Sequence, residues 1–543
     1  MEEKKDLIEN FDEAKAKFAH LSKYAADIAK LEGEPRYLVE LDRSMKSMED
    51  VNLIYPVGGP IFIHILKKKG KGTKYHAIEP FMDEKEKELF DEILDKLIEI
   101  ANHHPVPPDF KQIDKVFIQL FNDVVVIGEK KKSLIKQIDN RIYLDKAQYE
   151  KMKYFILRNR LGYGKLEPLL NDPYLEDIHC TGVGHIMTVH KIFEMVHTNI
   201  IFKDDLTLNK YIVEITERVE RPASDAHSIV DAMMPDGSRA NFIYGRDISL
   251  EGSSFTLRKF SEVPISITQI VNWGTMSSEV AAYLWIALEN GMNVFVCGET
   301  ASGKTTTLNA ISAFIKPDDK VYTVENTPEV TMPHACWQHL LTREAGKSSD
   351  VSYEDLLIAS LRSRPNYILV GEIRGVEGSI AFQAMQTGHP VMSTFHAGNV
   401  TTMIQRITGD PINVPITFVD NLNIALIQMA VFHEGHFLRR VLSVTELERY
   451  YQPAKKMVTR EVFEWNPVKD KHNFKGLFNS YILENKIAKI LGYEDTRKIY
   501  DEMEIRRKII DKMIEEKIFN YYDVWEIIKN FHRGGKKTLP FNI

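Results

Sequence analysis

The chain has 543 residues, 44% hydrophobic and 27% charged, with a net charge of −7. That length exceeds one compact core, so about two to four domains are expected; the acidic balance speaks against a dedicated duplex-DNA binder, and no nucleic-acid partner is expected. Its three scattered cysteines, Cys180, Cys297 and Cys336, exclude a disulfide framework and suit the reducing cytoplasm.

The opening MEEKKDLIENFDEAKAKF is charged throughout, without the apolar core of a signal peptide. The first thirty-odd residues read as helix, ending at Gly33-Glu34-Pro35. IFIHILKKKG and KYHAIEP follow as a hairpin turning at Gly70 to Gly72. Met82 to Asn102 is the clearest N-terminal helix, with Asp83 as cap, Glu86 three residues on, and an apolar face of Leu89, Phe90, Ile93, Leu94 and Leu97. HHPVPP at 103–108 ends it, so His103 and His104 read as a helix end. The lysine clusters Lys67–Lys71 and Lys130–Lys132 fit solvated turns or contacts with acidic lipid or protein. Residues 1–150 thus make a mostly helical region with short strands, suited to docking partners.

Residues 151–262 change to short strands and polar turns, a smaller α+β domain. Pro235-Asp236-Gly237-Ser238 is a tight turn, and SSFTLRKF closes the segment as a strand. From 263 to 543 an α/β domain follows. Met276 to Asn290 reads as a helix and Asn293 to Cys297 as a strand, after which strands and helices alternate to about residue 450. Nothing approaches the roughly 18 uninterrupted apolar residues of a membrane span. The nearest run, Ile416 to Phe432, is broken by Asp420, Asn421, Asn423 and Gln428 and reads as a buried helix. The last hundred residues read as helical, notably Asp501 to Glu515 and Tyr522 to Phe531.

The chemistry starts at the strand ending in Cys297. The segment Gly298-Glu299-Thr300-Ala301-Ser302-Gly303-Lys304-Thr305-Thr306 joins a buried strand to a helix through a glycine-bounded loop. Such a loop turns successive N–H groups onto phosphate oxygens, and the helix N-terminus adds partial positive charge. Lys304 can reach the β- and γ-phosphates, and the Thr305 hydroxyl can ligate Mg²⁺. A second strand, Tyr367 to Val370, leads into Gly371-Glu372, where a carboxylate at the tip of a strand neighbouring the loop can hold the metal's hydration shell. Between them, Val321 to Glu325 runs into Asn326-Thr-Pro-Glu329; Glu325 can act as general base, with Glu329 the alternative. His389 and His396 flank a further short strand and can sense the γ-phosphate or pack structurally. His334, Cys336 and His339 lack the second paired half of a zinc site.

In this order the motifs resemble Walker A, Asp box, Walker B and His box of the ATPases of type II and type IV secretion and type IV pilus assembly, over residues 151 to 450. Asn326 and Asn366 depart from the aspartates usual in that family. PDGSRANF, FTLRKF, MPHACWQHLLTRE and SLRSRPNYILVGEIRG are similar to the archaeal branch, and the N-terminal segment with KYHAIEP looks most like the archaellum motor and assembly ATPase. The resemblance implies a RecA-like P-loop motor domain, ATP and Mg²⁺ as ligands, and a hexamer. It also implies γ-phosphate roles for Arg239 and Arg258, with Arg343, Arg362 and Arg364 as weaker candidates. The expected setting is cytoplasmic, at the inner face of the cell membrane, against a polytopic platform protein and accessory motor proteins. A secretion or pilus ATPase without rotation, and a nucleotide-gated scaffold, are the alternatives.

Overall fold

The computed structural model describes residues 8, 10–102, 113–128, 141–260, 263–343, 350–433 and 436–543. The helix end at His103–Pro108 and the Lys130–Lys132 cluster lie outside them, as do Glu344 and the expected boundary at 262. The chain divides into two compact units, Met1–Phe260 and Ser261–Ile543.

The first unit carries strands β1 (Arg36–Tyr37), β2 (Val51–Gly58), β3 (Ile61–Lys67), β4 (Lys74–Ile78), β5 (Val125–Ile127), β6 (Ile142–Leu144), β7 (Leu175–Cys180), β8 (Gly184–His190), β9 (Glu194–Phe202), β10 (Ile229–Met233), β11 (Arg239–Ile243) and β12 (Ser254–Arg258). Ten of them form one sheet in the order β1-β2-β3-β4-β9-β8-β7-β12-β11-β10. In β9, Val196, Thr198, Ile200 and Phe202 are buried while their neighbours face outward, the period of two that pins a strand to one register. The local expectations are met. Gly33 ends helix Ala19–Glu32, Asp83 and Glu86 close a capping box on helix Glu84–Ala101, and β3 and β4 form the expected hairpin. In the lysine cluster at that hairpin, Lys68 pairs with Glu32, and Lys69 with Glu49 at 2.8 Å.

The expected break at residue 150 falls inside this unit. β4 pairs in parallel with β9, Tyr75 opposite Thr198, so strands on both sides of that position share one sheet. A buried carboxylate reinforces the join: Asp172 accepts from Tyr55 on β2 at 2.6 Å and Tyr75 on β4 at 2.8 Å. Burial and the nearby carboxylate push both phenols well above their ordinary range, so both stay protonated donors.

The second unit carries β13 (Val294–Cys297), β14 (Val321–Glu325), β15 (Trp337–Leu341), β16 (Tyr367–Ile373), β17 (Val391–Phe395), β18 (Ile424–His433), β19 (His436–Tyr451), β20 (Lys456–Asn466) and β21 (Lys471–Phe474). They form one sheet, β15-β14-β16-β17-β13-β18-β19-β20-β21. Pairing is parallel from β15 to β18 and antiparallel beyond. Both faces of the parallel part are covered: Val294 and Val296 enter one core, Phe295 and Cys297 the other. Short continuous apolar strands are the result. Helix Ser278–Glu289 is buried on every side from Val280 to Leu288, which fits its unbroken apolar sequence. This is the RecA-like P-loop architecture that the motifs implied.

Three readings are corrected here. Ile416–Phe432 is not a helix but a 3₁₀ turn, Ile416–Asn421, followed by the buried strand β18; a short apolar run has no period to separate strand from buried helix, and the slot beside β13 decides. The last hundred residues are helical only from Tyr481 onward, because β19, β20 and β21 extend the sheet first. The strand bearing Glu372 does not adjoin the loop strand, since β17 lies between them.

Asp172→Ala should leave two buried phenols without acceptors, at a cost of about 2–5 kcal/mol. Thermal unfolding of the 1–260 unit should show a lowered midpoint, and Tyr55→Phe combined with Tyr75→Phe should recover much of it.

Candidate functional site

The loop after β13 is shaped by close approach. A Cβ on Gly298 would collide with the Gln428 carbonyl and with Ser302 Oγ. Gly303 caps helix Lys304–Ser312 in the left-handed region, φ 91° and ψ 23°, where an L side chain is strained. Glu299, Thr300 and Ala301 face solvent at the loop's crest, while Ser302 is buried and Thr305 and Thr306 are half-buried. Lys304 is only 8% exposed, and its Nζ donates to the Glu299 carbonyl at 2.8 Å. Burial lowers its pKa, and the Glu372 carboxylate draws it back up. A lysine turned onto its own loop in this way is a cation poised for an anion at the loop's mouth.

Parallel strands deliver the other groups to the same edge. Phe395 of β17 pairs with Cys297 of β13, so His396 emerges beside the loop. On β16 the register slips between Val370 and Glu372, and Thr394 Oγ1 holds the intervening Gly371 carbonyl at 2.6 Å. That bulge re-aims Glu372. Its two oxygens meet His396 Nε2 at 2.6 Å and Arg374 at 2.5 Å. Burial lowers the His396 pKa, Lys304 lowers it further, and Glu372 opposes both; Glu372 also raises that of Arg374.

Glu325, at the tip of β14, is 1% exposed. One of its oxygens accepts from the amides of Glu329 and Val330, both at 2.9 Å. The other meets His339 Nε2 at 2.8 Å. Glu329 is exposed, and its charge raises the pKa of Lys304 and of Arg374. Asn326 keeps its turn in place, accepting from Thr342 Oγ1 at 2.8 Å. Asn366 accepts from the Lys320 amide at 2.9 Å, a strand-start clamp away from the chemistry.

Some expected residues stand elsewhere. His389 precedes β17, whereas His396 follows it, so about 3.3 Å per residue places them roughly 20 Å apart on opposite edges of the sheet. His389 bonds Thr387 Oγ1 at 3.1 Å. Arg362 ends helix Tyr353–Arg362, and with Arg364 it precedes β16 on that far edge. Arg343 lies past β15, on the loop's edge, bridged to Val351. His334 packs on Trp525 while His339 serves Glu325, so the two do not converge on one ligand.

In the first unit, Arg239 and Arg258 stand directly opposite each other on β11 and β12, and both are exposed. Arg258 Nε meets Asp177 at 3.1 Å.

Sequence reading missed the braces of the loop. Gln428, 1% exposed on β18, donates to the Ser302 carbonyl at 2.8 Å and accepts from Thr307 Oγ1 at 2.7 Å. Arg439 on β19 donates to the Ala301 carbonyl at 3.1 Å. The one available signal was Gln428 itself, a polar residue inside an apolar run.

The oxygen donors at the loop, the Thr305 hydroxyl and the Glu372 carboxylate, suit a hard divalent cation, and the glycine-shaped loop with its buried lysine suits a phosphate chain. The family described as Type II/IV secretion system protein matches residues 160–414. An uncharacterised protein of Methanocaldococcus jannaschii is 51% identical over 540 residues, covering 98% of each chain. The type IV secretion system protein PtlH of Bordetella pertussis is 38% identical over 130 residues, 23% of this chain and 38% of that protein. Among solved structures, the Legionella pneumophila ATPase DotB is 17% identical with a TM-score of 0.39, over 68% of this chain and 91% of that chain.

Gln428→Ala should strand a buried carbonyl and a buried hydroxyl and loosen the loop. About 1–2 kcal/mol of lost preorganisation corresponds to roughly 5- to 30-fold weaker triphosphate binding, measurable by titration with a fluorescent nucleotide.

Proposed function

Because the chain belongs to the type II/IV secretion system protein family, we propose that it is an ATP-hydrolysing motor that acts as a homohexamer on the inner face of the cell membrane. It drives a polytopic platform protein, with accessory cytoplasmic proteins, to assemble a type IV pilus-like filament, and in the archaellum-like version to turn it. The observation that carries this reading is Lys304, a buried cation at the mouth of a glycine-shaped loop, with Glu372, His396 and Arg374 gathered on the same strand edge. Among the described residues no helix is long and apolar enough to cross a membrane, which suits attachment through partners.

The residues divide the chemistry among them. Loop amides from Glu299 to Thr305 take the phosphate oxygens, and Lys304 exchanges the Glu299 carbonyl for the β- and γ-phosphates. Thr305 and Glu372 would hold Mg²⁺, which neutralises charge building between those phosphates. His396 and Arg374 orient the Glu372 carboxylate. Glu329 takes a proton from the attacking water: it is the exposed carboxylate whose charge both Lys304 and Arg374 feel. Glu325, with both oxygens occupied, positions the Glu329 amide instead. Arg239 and Arg258 supply the cations that meet charge spreading over the γ-phosphoryl oxygens. Nucleotide that favours the assembled form promotes assembly by mass action, and a repeated interface that closes gives a ring.

Lys304→Ala should abolish phosphate release and weaken ATP binding. Glu329→Gln should retain ATP and lose on the order of 10²–10⁴ in kcat, while Glu325→Gln should show a smaller rate loss with a lowered melting temperature. The reverse order in a steady-state phosphate-release assay would return the base to Glu325, and a wild-type chain with no turnover would make it a scaffold.

Arg239→Ala and Arg258→Ala should each lower kcat more than they raise KM, since their contact strengthens as transition-state charge develops. As cross-strand neighbours they should also be non-additive, the double variant losing less than the product of the two single losses.

A further inference from the structure

The β18–β19 hairpin runs past the phosphate loop and ends in exposed aromatic rings. Its register pairs Gln428 with Val441, Ala430 with Arg439, and Phe432 with Phe437. Alternate residues on a strand share a face. Gln428 and Arg439 both bond the loop, so Phe432 and Phe437 lie on the loop-facing side, two residues and about 7 Å further out. Arg440, next to Arg439, points the other way into its pair with Asp470. The two rings lie 6.1 Å apart and tilted by 63°, and they are 71% and 67% exposed.

The sheet order fixes which end of a nucleotide comes here. Glu372 and His396 stand on the β16–β17 side of the loop strand, and the hairpin on the other. A triphosphate whose γ end meets Lys304, Glu372 and His396 leaves its nucleoside on the β18–β19 side. Two large rings left in water are a loss to the free protein that a stacked base offsets, and every base has a π-face to offer. Arg439 sits between loop and rings, where a guanidinium can meet both a phosphate oxygen and a ring face.

We propose that Phe432 and Phe437 form the stacking platform for the purine base of the bound nucleotide, with Arg439 bridging platform and phosphate loop. This rests on the loop being an ATP site and extends that reading to the residues that hold the nucleoside.

Comparing ATP with inorganic triphosphate, which has no base, separates the two ideas. Titration calorimetry on the full chain with Mg²⁺ should show the Phe432→Ala/Phe437→Ala double variant losing about 10- to 100-fold in ATP affinity, as lost base stacking does. Its affinity for inorganic triphosphate should stay within about twofold of wild type, which also certifies an intact loop. The paired tyrosine variant, Phe432→Tyr/Phe437→Tyr, should keep ATP affinity, and Lys304→Ala should weaken both ligands. Unchanged ATP affinity in the double alanine variant would overturn the platform and assign the rings to a protein contact, with the Lys304 result leaving the ATP site standing. Equal losses for both ligands would also overturn it, making the hairpin a brace of the loop. A wild-type chain that binds neither ligand would remove the ATP reading and the platform together.

Discussion

A lysine charge held at 8% exposure is the constraint around which the second unit is arranged. Burial works against that charge, so it survives only where carbonyls and carboxylates converge. Parallel pairing provides the convergence. Because β13, β14, β16 and β17 run the same way, their C-terminal tips present Gly298, Glu325, Glu372 and His396 along one edge, the edge where ligands bind in open α/β sheets. The antiparallel pair β18–β19 then closes the other flank of the loop through Gln428 and Arg439.

Buried carboxylates do a second kind of work, gathering donors that would otherwise be stranded. Asp172 binds two phenols and the Tyr174 amide. Glu446, fully buried, gathers Tyr283, Ser480 and the amides of Tyr481 and Ile482. Glu325 collects two amides and a histidine. Each joins segments that the chain keeps apart, or a strand to the turn after it, and removing a partner would strand a buried polar group. Glu329, by contrast, is exposed, and Glu372 faces two basic side chains, His396 and Arg374.

The sequence alone determined what depends on a few consecutive residues. The loop at Gly298–Thr305 is legible because only glycine fits beside the Gln428 carbonyl and at the left-handed Gly303. The Asp83–Glu86 cap and the Gly33 stop are legible because a helix end is satisfied within one turn. The fold class and the order of the acidic strand tips followed from the same local rules. What the tertiary structure decided depends on pairing across long separations: β17 entering between β13 and β16, β4 joining β9, and Ile424–His433 becoming a strand because the slot beside β13 was open. Side-chain roles moved for the same reason. Glu325 and Glu329 carry the same carboxylate, and only the fold shows which one is already occupied by His339 and backbone amides. His389 and His396 flank one strand in the sequence, and a strand's length carries them to opposite edges. Local geometry is written in neighbours, whereas burial and proximity are properties of segments that meet only once the chain has folded.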